Sequence, residues 1–349
     1  MVNFVNDYSE GCVPEILEAL AEQNYVKNTG YGCDPICEAA AKKIKKACKA
    51  KEADVYFLTG GTQTNMIVID TMTERFDGVV AADTGHVNTH EAGAIEHSGH
   101  KVLTLPNHNG KIRAADLKGY IEDYYADDNF EHMARPGIVY ISHPTEVGTL
   151  YTKEELKEIH SVCKSYNIPL FLDGARLAYG ITAKGTDVTL ADIAKYTDVF
   201  YVGGTKCGAL YGEAVVWPRG GMPFRFDTLV KQKGAMVAKG WLIGLQFDAL
   251  FSEVKEGGSK ISVYERGGIH ANLLADKIKK ALKKKGYKFF VQSPTNQIFV
   301  LADKEKMAEL SKEAEYSFFA KYNDKYSIIR FVTSWASTEE DVDRLVEVL

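Results

Sequence analysis

No run of apolar residues in this sequence is long enough to span a bilayer, so no membrane partner is expected. Basic residues are in the minority, 42 Lys and Arg against 47 Asp and Glu. The formal charge of -5 carries none of the basic footprint that a nucleic-acid partner requires. The opening Met1-Val-Asn-Phe-Val-Asn-Asp7 has no basic stretch followed by an apolar run, and no secretory leader is expected. Cysteine is sparse and scattered (Cys12, Cys33, Cys37, Cys48, Cys163, Cys207). Cys33 and Cys37 lack the two-residue gap and the His or Cys partners of a zinc site. Reduced thiols in a cytoplasmic protein are the expectation. A Walker loop, a G-x-G-x-x-G fingerprint, an H-E-x-x-H helix, internal repeats and low-complexity segments are also missing.

What is present is an ordinary globular composition, 349 residues with 45% hydrophobic and 26% charged, enough for one large domain and a smaller one. A helix is expected over 14–23, and another from Pro35 to about Lys51, whose lysines (Lys42, Lys43, Lys45, Lys46) read as a solvated face. Buried-type strands are expected at 54–58, 78–82, 101–105, 138–142, 169–172, 198–202 and 212–217. Helical segments alternate with them, including 66–73 and the one opened by the capping box Thr152-Lys-Glu-Glu155. Short apolar strands alternating with helices argue for an α/β fold with a largely parallel sheet covered on both faces. A long amphipathic stretch follows over 236–254, then a loop at Gly257-Gly-Ser-Lys260. A Lys-rich helix over 272–285, strands near 287–291, 297–301 and 326–333, a helix from Asp303 and a last helix opened by Ser337-Thr-Glu-Glu340 suggest a smaller α+β unit. The expected division is an amino-terminal arm, 1–27, packing with the small domain; a large domain, 28–245; and a small carboxyl-terminal domain, 246–349.

Several residues stand where their chemistry is conspicuous. Gly60-Gly61-Thr62 lies between a strand and a helix, where free N–H groups and the helix dipole favour an anion, although a plain strand–helix turn has the same residues. His86, just past the second strand, can stack on a planar cofactor or move protons. His90, Glu91 and His97 follow, but none has a zincin arrangement and no metal is expected. Asp173 ends a run that is apolar on both faces, where a carboxylate needs a partner. A cationic pyridinium nitrogen would serve, and so would Arg176. Lys206, next to Thr205, follows another buried strand after two glycines. Desolvation there would favour its nucleophilic free amine, unless it is simply a surface lysine at a loop tip. Asp173 and Lys206 are one βαβ unit apart, so both fall at the sheet edge where open α/β folds bind ligands. Arg330, inside the apolar Ile328-Ile-Arg-Phe-Val-Thr333, aims either at a substrate carboxylate or at a rim salt bridge.

In this order the chain resembles the threonine aldolase/β-eliminating lyase branch of fold-type I pyridoxal phosphate enzymes, over nearly its whole length. Asn6-Asp7 is similar to that family's substrate-binding Ser-Asp, and Tyr31-Gly-Cys-Asp-Pro35 to its Tyr-Gly-x-Asp-Pro loop. Gly61-Thr62 with Asn65 is similar to the phosphate turn, and His86 to the ring-stacking histidine. Asp173-Gly-Ala-Arg176 is similar to the pyridinium-binding motif, Lys206 to the Schiff-base lysine and Arg330 to the carboxylate-binding arginine. The resemblance implies a three-layer large domain and pyridoxal 5'-phosphate as cofactor. It implies retro-aldol cleavage of L-threonine and L-allo-threonine to glycine and acetaldehyde, with another amino-acid lyase reaction such as β-elimination as the alternative. It implies catalytic roles for Lys206, His86 and Asp173, and cofactor contacts from Gly60, Gly61, Thr62, His86, Asp173, Arg176, Thr205 and Lys206. Substrate contacts fall to Asn6, Arg176 and Arg330, in a homodimer or homotetramer with sites at the subunit interface. Departures are Asn6 in place of serine, one residue inserted before His86, and Ser142-His-Pro-Thr-Glu-Val-Gly148 in place of Asn-Thr-His-Asn-Arg-Ser-Gly. The last puts His143 out of register with the family's second active-site histidine. Lys231, Lys233 and Lys239 are the candidates for a basic residue reaching a neighbouring subunit's phosphate. The competing class, an α/β binding protein or nucleotide-dependent enzyme, is opposed by the missing dinucleotide and Walker motifs.

Overall fold

The computed structural model describes residues 1–349. Seven apolar segments form one sheet: β1 (Asp54–Leu58), β2 (Asp77–Ala82), β3 (Lys101–Leu105), β4 (Arg135–Ser142), β5 (Leu170–Asp173), β6 (Val199–Gly203) and β7 (Glu213–Trp217). Their spatial order is β1-β7-β6-β5-β4-β2-β3. Every pairing is parallel except the two made by β7, which runs antiparallel to β1 and β6. Helices cover both faces, and the inner strands are apolar on both sides for that reason. Along β4, Ile138 and Tyr140 enter one core while Val139 and Ile141 enter the other. No helix is long and apolar enough to cross a membrane.

The reversed strand matters for the chemistry. Glu213, the first residue of β7, pairs with Gly203 at the end of β6 and with Leu58 at the end of β1. The start of β7 therefore shares an edge with the carboxyl ends of the parallel strands, where open α/β sheets bind ligands.

A second, antiparallel sheet follows: β8 (Lys288–Phe289), β9 (Gln297–Ala302), β10 (Ser317–Lys321) and β11 (Ser327–Val332), in the order β8-β9-β11-β10. Ile298, Val300, Ile329 and Phe331 pack it against Leu274 and Ile278 of the helix Val263–Lys284 and against Val342 and Leu345 of the helix Glu339–Val348. The amino-terminal arm is pinned at two places. Val2–Asn3 pairs in parallel with Ala314–Glu315 beside the small sheet. Further on, the Val13 N–H donates to the Gly208 carbonyl at 2.9 Å, in the loop after β6. Asp7 lies between these two attachments.

Several elements differ from the sequence expectation. The Lys-rich helix begins at Val263 rather than near 272, because Ser262 and Glu265 form a capping box. The loop before it is a hairpin, Glu253–Glu256 against Ser259–Ser262, turning at Gly257 and Gly258, both at positive φ. The stretch read as amphipathic over 236–254 is helical only over Trp241–Leu250, and that helix is buried nearly all round. The helix after β1 starts at Gly61, where glycine's poor helix propensity hides the first turn. The strand Ser317–Lys321 has no clean alternation because it is a half-exposed edge. The last helix is capped by Thr338, one residue later than expected.

The backbones of β5 and β6 converge just past Asp173. A Cβ at Gly174 would collide with the Tyr201 carbonyl, and one at Gly203 would meet the carbonyls of Gly174 and Ala175. Gly174→Ala is therefore expected to lower the unfolding free energy by about 1–3 kcal/mol, the usual range for overpacking. Urea unfolding followed by circular dichroism checks this, and a curve superimposing on wild type would contradict it.

Candidate active site

Asp173, the last residue of β5, and Lys206, three residues beyond β6, line one cavity of about 210 Å³ at the carboxyl edge of the sheet. Gly60, Gly61, Thr62, His86, Arg176 and Thr205 line it too. Asn6 and Arg330 lie outside this lining. A larger groove of about 560 Å³ opens elsewhere, beside Lys43, Lys46 and Lys260. Those lysines are paired with Asp248 and Glu253, so the groove presents no free cation.

Asp173 is 5% exposed, and its carboxylate is met by neutral donors. Tyr140 Oη donates to Oδ2 at 2.6 Å, Asn65 Nδ2 donates to Oδ2 at 3.1 Å, and the Ala175 N–H donates to Oδ1 at 2.9 Å. Burial works against the charged form, but the charge of His86 and the hydrogen bonds from Tyr140, Tyr201 and Ala175 outweigh it and hold the carboxyl below its usual range. Asn65 also donates to Glu91 at 2.7 Å, and Glu91 in turn holds His86 Nδ1 at 2.8 Å. The His86 side chain keeps 35% of its surface open beside the cavity.

The pairing of Asp173 with Arg176, left open by the sequence, is not the one the chain adopts. Arg176 turns to Asp7, with Nε donating at 2.7 Å and Nη2 at 2.9 Å. Asn296 adds a third donor to Asp7 at 2.9 Å. Burial would raise the Asp7 pKa, yet the Arg176 guanidinium overrides it and holds the carboxyl below the usual aspartate range. Asp173 is thus a buried anion with no cationic side chain bonded to it.

Lys206 is half-buried; desolvation, then the nearby Arg176 charge, push its pKa down. Beside it stands Glu213, 4% exposed, which accepts from the Gly204 N–H at 3.1 Å and from Thr205 Oγ1 at 2.8 Å. Burial pushes this carboxyl up. Across the cavity, the helix Gly61–Met72 opens on Gly60 with no side-chain cap, so its leading N–H groups face an open position. A buried anion, a half-buried amine and an uncapped helix start fit a planar cationic ring that carries an anionic arm.

Arg330 on β11 donates from Nε to Ser317 Oγ and from Nη1 to Gln297 Oε1, both at 3.0 Å. No carboxylate pairs with it, so the rim salt bridge is not formed. Burial, then Arg176, lower its pKa. Asn6 accepts from the Tyr8 N–H and Ser9 Oγ, which fixes the turn carrying Asp7. His143 is fully buried outside the cavity lining, neither ring nitrogen has a partner, and burial followed by Lys111 brings its pKa to about 4. Of the candidate basic residues, Lys233 is bound to Asp70 at 2.6 Å and Lys231 sits 5.4 Å from the centre of the Tyr31 ring.

Sequence reasoning missed Asp7 as the partner of Arg176, weighed Glu91 only as a metal ligand and not as the partner of His86, and missed Tyr140, Glu146 and Glu213. Glu213 carried a usable signal, a charge opening an apolar strand, the same one that exposed Asp173. Tyr140 and Glu91 carried none, because their roles depend on partners distant in the chain.

The family model for the beta-eliminating lyases matches residues 4–238. The low specificity L-threonine aldolase of Pseudomonas sp. (strain NCIMB 10558) is 26% identical over 345 residues, covering 98% of this chain and 95% of its own. Among solved structures, the threonine aldolase of Leishmania major is 41% identical with a TM-score of 0.93, covering 100% of this chain and 98% of that one. The aspartate aminotransferase of Thermus thermophilus shares the fold at 14% identity and a TM-score of 0.69, covering 100% of this chain and 90% of that one.

Removing Asp7 leaves Arg176 buried and unpaired. Asp7→Ala is expected to lower the unfolding free energy at neutral pH by about 3–5 kcal/mol. Because the folded-state pKa of Asp7 is depressed, its contribution is complete above about pH 3.9 and fades as the pH falls below that value. Wild-type stability should therefore fall more steeply in acid than that of the variant. Urea unfolding across the acid range checks this; parallel pH profiles would contradict it.

Proposed function

The chain belongs to the beta-eliminating lyase family, and on that premise we propose that it binds pyridoxal 5'-phosphate at this sheet edge and cleaves L-threonine and L-allo-threonine to glycine and acetaldehyde. The observation that carries the reading is Asp173, a buried carboxylate held by neutral donors, in one cavity with a half-buried lysine of lowered pKa. When bound, the cofactor supplies an electron sink conjugated to the substrate's α-carbon. Asp173 would hold the proton on the ring nitrogen, as an anion reserved for a cation. Gly60, Gly61, Thr62 and Thr205 would receive the phosphate, with the helix dipole favouring its charge. His86, oriented by Glu91, would cover the ring face. Lys206 presents an amine whose lowered pKa favours the nucleophilic form, the form needed to hold the cofactor covalently.

Substrate recognition falls to the arginines. Arg330 has its guanidinium in place and no anion on it, which suits a substrate carboxylate. Arg176 is fixed by Asp7 through Nε and Nη2, leaving Nη1 open toward the same carboxylate. Asn6 shapes the turn that delivers Asp7. We place the site at a subunit interface of a homodimer or homotetramer, with Lys231 and Lys239 as candidates to reach a neighbouring phosphate. Lys233, occupied by Asp70, is the weaker candidate.

Assay of the purified protein with L-threonine is expected to release acetaldehyde. Pyruvate from serine or cysteine, with no acetaldehyde from threonine, would replace this reading with β-elimination. Arg330→Ala removes charge-assisted hydrogen bonds of about 1.5–3 kcal/mol, which corresponds to a KM higher by roughly 10–100-fold, with cofactor absorbance retained. An unchanged KM would remove Arg330 from substrate binding.

A further inference from the structure

Two carboxyls in the cavity, Glu146 and Glu213, have no part in holding the cofactor or the substrate carboxylate, and Glu213 has both oxygens taken, by the Gly204 N–H and Thr205 Oγ1. The segment Ser142 to Thr149 leaves β4 and turns tightly back, with the Gly148 N–H donating to the Thr145 carbonyl at 2.8 Å and the Thr145 N–H to the Thr149 carbonyl at 2.9 Å. This turn delivers Glu146 to the cavity wall and leaves His143 outside it. Glu146 Oε1 accepts from Ser142 Oγ at 2.6 Å and from the His86 N–H at 3.0 Å. Oε2 accepts from no other residue. The carboxyl is thus fixed through one oxygen and open through the other.

No cation is paired with it, in contrast to Asp7. The ionisable groups that share its cavity are His86, Glu91, Asp173, Arg176, Tyr201, Lys206, Tyr211 and Glu213. Burial, with Asp173 adding its charge, raises the Glu146 pKa against the opposing bonds from Ser142, its own backbone N–H and the backbone N–H of His86. That moves the group toward the range where a carboxyl exchanges protons readily at working pH. A purely structural carboxylate would anchor the loop through Oε1 alone, and nothing in that role calls for an open oxygen in the cavity. His86, with Nδ1 held by Glu91, is the group placed over the ring face in the function given above. His90, stacked 5.7 Å from His86, is outside the lining.

We propose that Glu146 is the general base of carbon–carbon cleavage, taking the substrate's β-hydroxyl proton on Oε2. The proposal rests on the function given above. As the O–H bond breaks, its electron pair becomes the second bond of the aldehyde carbonyl. The Cα–Cβ bond breaks, and its pair stays with the glycine fragment until a proton returns to Cα. One proton leaves the substrate oxygen and one arrives at carbon, so threonine is converted to glycine and acetaldehyde with no other reactant.

Glu146→Gln tests this, since the amide oxygen can still accept from Ser142 and His86 but the group cannot take a proton. Two reactions are compared in the cofactor-loaded protein: acetaldehyde release from L-threonine, and exchange of the glycine α-hydrogen in deuterium oxide, which involves no β-hydroxyl. The expected result is a fall in kcat for threonine of about 100-fold or more, with cofactor absorbance and glycine exchange unchanged. Wild-type cleavage in the variant would overturn the proposal. Loss of both reactions with the cofactor still bound would also overturn it, because Glu146 would then organise the site rather than act at the hydroxyl. A wild-type protein that takes up no pyridoxal phosphate overturns the function itself, and that outcome is visible before any variant is made. If Glu146→Gln does not fold, Glu146→Ala with added formate gives the same decision: restored cleavage supports the proposal, and no restoration in folded protein overturns it.

Discussion

A carboxylate buried at the end of an apolar strand, with only neutral donors around it, is the constraint to which the rest of the site is fitted. Taking that charge out of water is expensive unless something compensates it. Tyr140, Asn65 and the Ala175 N–H satisfy its oxygens, and none of them neutralises it. The one cation close in sequence, Arg176, is drawn away by Asp7. The arm that carries Asp7 is in turn anchored to the small sheet and to the loop after β6. The amino terminus therefore keeps Asp173 free of a competing side chain, although it lies far from Asp173 in the chain.

Topology explains how so many ionisable groups reach one edge. Six strand ends and the start of the reversed β7 meet there, so Glu213 joins residues from β4, β5 and β6 without any long loop. The hydrogen-bond chain from His86 through Glu91 and Asn65 to Asp173 crosses from one crossover to the next. Asn65 on the helix Gly61–Met72 and Asp173 at the end of β5 are placed by regular elements, and Glu91 links them to His86.

The parts of this arrangement that were legible in the sequence are those in which a charge interrupts an apolar strand. Asp173, Lys206 and Arg330 stand out for that reason, and Gly60 and Gly61 because glycines punctuate a strand–helix junction. The strand series was readable from its apolar runs, so the mostly parallel sheet followed. Partner choice was not readable. Whether Asp173 takes Arg176 depends on Asp7, which arrives from the other end of the chain. Tyr140 reads as one more apolar residue until its hydroxyl is seen to meet Asp173. Helix starts were misjudged where glycine opens the helix, at Gly61, and where a capping box was hidden by a preceding hairpin, at Ser262. Glu146 illustrates the same limit, since its position depends on a turn rather than on any periodic pattern.

The central claim is that Lys206 is the amine and Asp173 the anion of a pyridoxal phosphate site. The direct measurement is borohydride reduction of the protein after incubation with pyridoxal 5'-phosphate, followed by peptide mass mapping. The account predicts a pyridoxyl mass on the peptide that carries Lys206. Recovery of the mass on another lysine, such as Lys231 or Lys239, or on no peptide at all, would contradict it.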